Sequence, residues 1–460
     1  MLISRTSMSA SACGLRRAAA QTLPRDPTIR SLATVSPVTS ATRTHKTLII
    51  GGGAAGLSIS HQLLGSGRFA KDDIAVVDPA EWHHYQPGWT LVGGGLKNKQ
   101  ELKRPLKDLV DPKIKFYSNG GGVAKFSPER NTVTLGNGDE ISYEHLVVAP
   151  GIKVNFGSVR GLPEALADPS APVSSIYGYD SVDKVFPTVE KFKKGKAIFT
   201  HPAGIIKCAG APQKIMWLAL DYWKKGGLYR GESPSTSDIQ MSFMTGLPFM
   251  FAVPKYNAKL DELRQARGVE GLFEHDLVAV EGNTAIFVRP DGEQVKKHFD
   301  FLHAVPKMGP HEFVKNSPLG NEVGLVDVDD HTLRHKRYAN VWSVGDASSL
   351  PNPKTAAAIT AQVPVLARNM VQVMQGKEPD ALYDGYASCP ILTEYGKVLL
   401  AEFTYGGVPK ETFGKYGLDQ GTPRRAFYYL KKDFFPWVYY KSLVKGTWGG
   451  PKGWINPKNI

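Results

Sequence analysis

A strand running into a glycine turn and a helix, a second strand closing on an acidic residue, and a distant Gly-Asp pair together predict an α/β fold of Rossmann-like dinucleotide-binding units. The first feature is Thr47-Leu48-Ile49-Ile50-Gly51-Gly52-Gly53-Ala54-Ala55-Gly56, with the helix continuing through Leu57, Ile59 and Leu63-Leu64. Gly51 permits the tight turn, Gly53 lets the backbone approach a pyrophosphate, and Gly56 lets helix and strand pack closely. The amides near Ala54 and Ala55 lie at the positive helix end, where phosphate charge is favoured. The second strand, Ile74-Ala75-Val76-Val77, ends in Asp78, 22 residues after Gly56, where a carboxylate accepts hydrogen bonds from ribose hydroxyls.

Two later tracts select the dinucleotide. The strand ending Val147-Val148-Ala149-Pro150-Gly151 resembles the segment closing the first half of the FAD domain in two-dinucleotide flavoproteins. Far downstream, Asn340-Val341-Trp342-Ser343-Val344-Gly345-Asp346 resembles the strand and Gly-Asp pair whose aspartate holds the ribityl chain of FAD in those proteins. Their order after the opening fingerprint makes FAD the expected cofactor. The fold class is therefore α/β with two Rossmann-like dinucleotide-binding domains, glutathione reductase-like, followed by a C-terminal membrane-facing segment. The expected divisions are a presequence over 1–45, an FAD-binding domain over 46–155 and 325–380, a second Rossmann-like domain over 156–324, and a C-terminal region over 381–460. In the second domain the strand Lys196-Ala197-Ile198-Phe199-Thr200 runs into His201 and on to Pro212 with no glycine fingerprint. Without that phosphate cradle, NAD(P)H is not the expected electron donor.

A chain of 460 residues that is 42% hydrophobic can support two or three domains with separate cores. Five of its thirteen net positive charges lie in the first 45 residues, which hold six Arg, no Lys and one acid, Asp26. An Arg-, Ser- and Ala-rich start nearly free of acids has the composition of a mitochondrial presequence; a secretory signal needs an unbroken apolar core, which is missing. The tract Arg30-Ser31-Leu32 before Ala33 marks the expected processing point. No run approaches the roughly 20 apolar residues that cross a bilayer, so a membrane is expected to be met on one face.

Of three cysteines, Cys13 lies in the expected presequence, leaving Cys208 and Cys389, which are too few for a disulfide scaffold. Cys208 precedes Pro212, a favoured first residue for the helix suggested by Lys214-Ile215-Met216-Trp217-Leu218-Ala219-Leu220. A thiol near a helix N-terminus and beside Lys207 is expected to be partly thiolate at neutral pH. The competing reading is a buried small hydrophobe. Cys389 follows 181 residues later in Tyr386-Ala387-Ser388-Cys389-Pro390, so a closely spaced dithiol is absent and only the fold can join the two. No metal site is expected.

The run Ile206-Lys207-Cys208-Ala209-Gly210-Ala211-Pro212-Gln213-Lys214-Ile215 resembles the first active-cysteine segment of mitochondrial sulfide:quinone oxidoreductases. The same resemblance takes in the tract from Glu81 through Trp82-His83-His84-Tyr85-Gln86-Pro87-Gly88-Trp89 to Gly93, Val326-Asp327-Val328-Asp329, Pro353-Lys354-Thr355-Ala356, and Cys389 before Pro390. A third cysteine found in many bacterial members is absent, which points to the mitochondrial branch. The resemblance implies that hydrogen sulfide attacks a disulfide or trisulfide joining Cys208 and Cys389, with Cys389 receiving sulfide and Cys208 addressing the flavin. Electrons would pass to ubiquinone, and sulfane sulfur to glutathione or sulfite. It further implies FAD contacts from Gln86, Val123 and Lys354. His83 and His84 are conceivable proton carriers, but adjacent histidines in an aromatic loop more often pack.

Residues 424–448 contain nine aromatic and six basic residues, a mixture suited to a segment lying on a bilayer, where quinone can enter from the lipid. The competing reading is a core helix or a subunit surface, because Pro436 breaks the periodicity. The expected setting of this quinone and membrane-interaction region, 381–460, is the matrix side of the mitochondrial inner membrane. No nucleic-acid module accompanies the basic residues. The rival functions are a type II NADH:quinone oxidoreductase, which needs the missing second fingerprint, and a non-enzymatic flavoprotein scaffold, which predicts dispensable cysteines. A flavocytochrome would require a Cys-x-x-Cys-His that the chain lacks.

Overall fold

The computed structural model describes residues 43–231 and 236–460, so most of the expected presequence, Cys13 included, lies outside the described residues. The opening strand, Arg43–Ile50, forms where Leu48, Ile49 and Ile50 are buried on both faces, as central parallel strands are. It pairs in parallel with Ile74–Val77 on one side and with Glu140–Val148 on the other. The strand Lys115–Tyr117 extends the sheet beyond Ile74–Val77.

The strand ending at Val148 is long enough for two partners along its other edge. Its first half pairs antiparallel with Thr132–Leu135, itself hairpinned to Val123–Ser127. Its last residues take Val341–Ser343 in parallel. That late pairing returns the chain to the opening sheet and sets Gly345 against Ala55 of the first helix, Ala54–Gly65. A long helix, Ala356–Met374, is N-capped by the Thr355 hydroxyl, which accepts from the Ala358 amide, and packs on the first helix.

A second parallel sheet runs in the order Val173–Ser174, Phe301–His303, Gly195–His201, Ile239–Thr245, Glu270–Leu272. The fold is thus α/β with two Rossmann-like sheets, as the sequence predicts. The cysteine helix, Ala211–Lys225, carries Pro212 in its first turn, where a missing amide hydrogen costs nothing. An antiparallel hairpin, Ala387–Glu394 with Lys397–Phe403, packs on this helix, and Cys389, Ile391 and Leu399 enter the same apolar core as Ile215, Met216 and Trp217.

The C-terminal segment is one helical path broken in character. The α-helical turns Arg425–Tyr429 and Phe435–Val438 alternate with π-helical turns at Leu430–Phe434 and Tyr439–Leu443. Pro436 opens the second α-helical turn. No helix among the described residues is long and apolar enough to cross a membrane.

Candidate active site

Cys208 adopts a left-handed backbone conformation (φ +56°), which costs a non-glycine residue about 1–2 kcal/mol. Two main-chain bonds and one from a side chain hold it there. The Cys208 amide donates to Lys354 O (2.8 Å), the Ala211 amide donates to Cys208 O (2.8 Å), and the Tyr177 hydroxyl donates to Lys207 O (2.9 Å). The loop in the place of a phosphate cradle is therefore tied to the segment that precedes the long helix, through a parallel bridge between Lys207 and Lys354.

The consequence is a meeting of the two thiols. Cys208 Sγ lies 3.7 Å from Cys389 Sγ, although 181 residues separate them. Cys389 is fully buried on the hairpin, whereas Cys208 opens to a cavity of about 650 Å³. Lys214, buried in the first turn of the cysteine helix, points its ammonium at Cys208 Sγ (3.5 Å). Lys431, also buried, reaches in from the C-terminal segment and donates to Pro87 O (2.8 Å).

The bond from Cys389, aided by the Lys214 and Lys431 charges, holds the Cys208 thiol well below the ordinary range, against the opposing effect of burial. The same bond, burial and the Cys208 charge push Cys389 up. A single negative charge on the pair is therefore favoured on Cys208, the thiol nearer the Lys214 ammonium and on the cavity side. Lys207, which the sequence puts next to the thiol, turns instead to Gln86 Oε1 (3.1 Å), so the cation at the sulfur is Lys214.

The cavity runs from the glycine turn to the thiols. Gly53, Ala54, Ala55 and Asp78 line it. Gly151, Gln86, Asp346, Lys354 and Cys208 line it as well. Gly51 and Gly56 shape the turn from outside the cavity: a Cβ on Gly51 would collide with Ala149 O, and one on Gly56 with Gly51 O. Asp78 Oδ2 accepts from the Gly52 amide (2.6 Å). Val123 opens its strand half-buried and does not line the cavity.

Asp346, Lys207 and Lys354 bring three charges to the cavity lining. Burial pushes Asp346 up, opposed by Lys207 and Lys354. Burial also lowers Lys354 to about 8, while its ammonium donates to Ser348 O (2.7 Å) and Leu350 O (3.1 Å). The far wall comes from the C-terminal segment, through Phe434, Val438, Tyr439 and Leu443. His83 and His84 both line the cavity; His83 is hydrogen-bonded at both nitrogens and held neutral by burial, with a pKa lowered to about 4.

Residues 45–178 match the family described as pyridine nucleotide-disulphide oxidoreductase. The mitochondrial sulfide:quinone oxidoreductase of Schizosaccharomyces pombe is 46% identical over 436 residues, covering 90% of this chain and 93% of that one. The chain belongs to the sulfide:quinone oxidoreductase family. The Dictyostelium discoideum member is 42% identical over 417 residues, covering 90% of this chain and 88% of that one. In fold, the sulfide:quinone oxidoreductase from Aquifex aeolicus superposes with a TM-score of 0.69 at 18% identity, over 87% of this chain and 92% of that chain.

FAD is the cofactor of this family, and the site fits it. A Cβ at Gly53 would meet open space, leaving the turn free to receive a pyrophosphate, and the volume lies in the range of small-molecule sites. The sequence missed Tyr177, Lys214 and Lys431 as site groups. Lys214 carried a usable signal, a cation six residues after the cysteine and one turn into the helix. Lys431 carried none, since its neighbour Lys432 shares the basic run yet pairs with Asp433 at the surface.

Proposed function

We propose that this family member is an enzyme that oxidises hydrogen sulfide and reduces ubiquinone, with Cys208 and Cys389 carrying sulfur between them. The carrying observation is the thiol pair at 3.7 Å, with one member open to the cavity and faced by the Lys214 ammonium. Gly53, Ala54 and Ala55 would hold the FAD pyrophosphate, Asp78 the ribose, and Gln86, Gly151, Asp346 and Lys354 the flavin half. Bound FAD supplies a two-electron acceptor that quinone can reoxidise.

The separation suits a sulfur bridge. Two S–S bonds of about 2.05 Å meeting near the tetrahedral angle span roughly 3.3 Å, so one inserted sulfur bridges the pair with little movement. Hydrosulfide attacks Cys389 Sγ of that trisulfide and breaks its bond to the bridging sulfur. Cys389 then carries a persulfide, and Cys208 carries the bridging sulfur as an anion that Lys214 and Lys431 stabilise. A small nucleophile, glutathione or sulfite, removes the terminal sulfur of Cys389. The freed Cys389 thiolate closes the bridge again once two electrons have left the sulfur on Cys208. The disulfide form is the alternative resting state and follows the same division of labour.

The Schizosaccharomyces pombe and Dictyostelium discoideum relatives carry mitochondrial names, and we place this protein in the mitochondrion, peripherally on the matrix face of the inner membrane. Exposed Trp437 and Tyr429 beside Lys441 and Arg425 support a surface that lies on lipid. The decisive measurement is anaerobic flavin bleaching by sulfide or NADH in the wild type, Cys208→Ser and Cys389→Ser. Sulfide is expected to bleach the wild type alone, with at least a hundred-fold loss in each variant. Bleaching by sulfide that survives both substitutions would overturn the proposal.

A further inference from the structure

His83 bridges two parts of the molecule that are far apart in the chain, the glycine turn and the C-terminal segment. Its Nδ1 lies 3.0 Å from Gly52 O in the glycine turn, and its Nε2 lies 2.7 Å from the Tyr439 hydroxyl in the C-terminal segment. A carbonyl only accepts, so Nδ1 carries the proton and Nε2 accepts from Tyr439. Gly52 is held on its other side as well, its amide donating to Asp78 Oδ2 (2.6 Å).

In a trans peptide the carbonyl and the following amide point in opposite directions. Holding Gly52 O at His83 therefore aims the Gly53 amide the other way, and Gly53 is the turn residue with open space before it. That amide stands with those of Ala54 and Ala55 among the donors the cofactor's pyrophosphate would meet. The C-terminal segment is fastened to the same unit at further points. Ser58 Oγ shares its one proton between Ala54 O (2.6 Å) and Leu443 O (2.8 Å), Lys445 Nζ donates to Leu109 O (3.2 Å), and Gly446 sits too close to Gln62 for a side chain. Phe434, Val438, Tyr439 and Leu443 of that segment wall the cavity.

We infer that His83 is a positioning residue that couples cofactor retention to the seating of the C-terminal segment: Tyr439 orients its imidazole, and the imidazole sets the tilt of the Gly52–Gly53 peptide. Such coupling is reciprocal. A seated segment slows loss of FAD, and bound FAD keeps the segment seated. The inference rests on FAD as the cofactor and is independent of the sulfur chemistry.

The test uses the holoenzyme, Tyr439→Phe, His83→Leu and His83→Gln, and reads two quantities besides turnover. The first is the rate of FAD release, followed by flavin fluorescence on dilution. Loss of one buried hydrogen bond is expected to speed release about five-fold in Tyr439→Phe. His83→Leu is expected to release faster still, and His83→Gln, whose side-chain amide can donate to Gly52 O, to recover part of the loss. The second is the ratio of tryptic cleavage rates at the exposed Arg425, Lys441 and Lys445 in FAD-depleted against FAD-loaded protein. That ratio is expected to be well above one in the wild type and to fall toward one in Tyr439→Phe. A general loss of stability would raise both cleavage rates and leave the ratio unchanged, and that result, or unchanged FAD release, overturns the inference. A wild type that binds no FAD would instead refute the cofactor, an outcome visible in its absorption spectrum before any variant is made.

Discussion

Lys431 is a cation in a place where a cation is expensive. Burial first, and the Lys214 charge second, lower it to about 7, far below the usual lysine value, while the two cysteines pull it partly back. Between about pH 7 and the lysine pKa of about 10.4 in an unfolded chain, the unfolded chain binds the extra proton. Stability contributed at this position therefore rises with pH across that window. Lys431→Met is expected to be more stable than the wild type at pH 7, with the gap narrowing toward pH 9, as read from urea midpoints at the two pH values. A widening gap would contradict the buried position. Tyr177→Phe tests a neighbouring dependence. Removing the hydroxyl that braces Lys207 O should leave the left-handed Cys208 less restrained, at about 1 kcal/mol. The expected result is slower sulfide-driven bleaching with FAD content unchanged. At this scale the sequence showed the two cysteines, Asp78 and Asp346, because each sits in a local pattern. It hid Tyr177 and Lys431, because their roles come from distant segments that meet only when folded.

At the scale of the element, the C-terminal segment shows why a composition argument stops halfway. Aromatic and basic residues mark it as interfacial, yet the pattern cannot say which of them face inward. The folded segment divides them: Lys431 and Tyr439 are buried against the tract holding His83 and Pro87, while Trp437, Tyr429 and Lys441 are exposed. The π-helical turns at Leu430–Phe434 and Tyr439–Leu443 shift the facing of the side chains along the path, so a period of 3.6 does not describe it. Replacing exposed Trp437 by Ser and Lys441 by Glu should weaken sedimentation with anionic vesicles several-fold, without changing bleaching by sulfide in solution. The cysteine helix is the opposite case. Pro212 and an apolar run of the right period disclosed it from the sequence, and it begins within a residue of where that proline places it.

For the whole molecule, the second Rossmann-like sheet is complete, but its phosphate loop has become the cysteine loop, annexed by the FAD side through Lys354. NADH is therefore expected to bleach the flavin at least a hundred-fold more slowly than sulfide, measured by stopped-flow absorbance. The sequence by itself determined the α/β class, the glycine turn with its acidic partner, and the family, because these reside in contiguous residues whose spacing the backbone dictates. Only the tertiary structure decided that two cysteines 181 residues apart stand 3.7 Å from each other, that Lys214 rather than Lys207 faces the sulfur, and that the C-terminal segment walls the cavity beside them. Those facts depend on how two sheets, a hairpin and a tail pack together, and packing brings side chains close without leaving a period or a spacing in the chain.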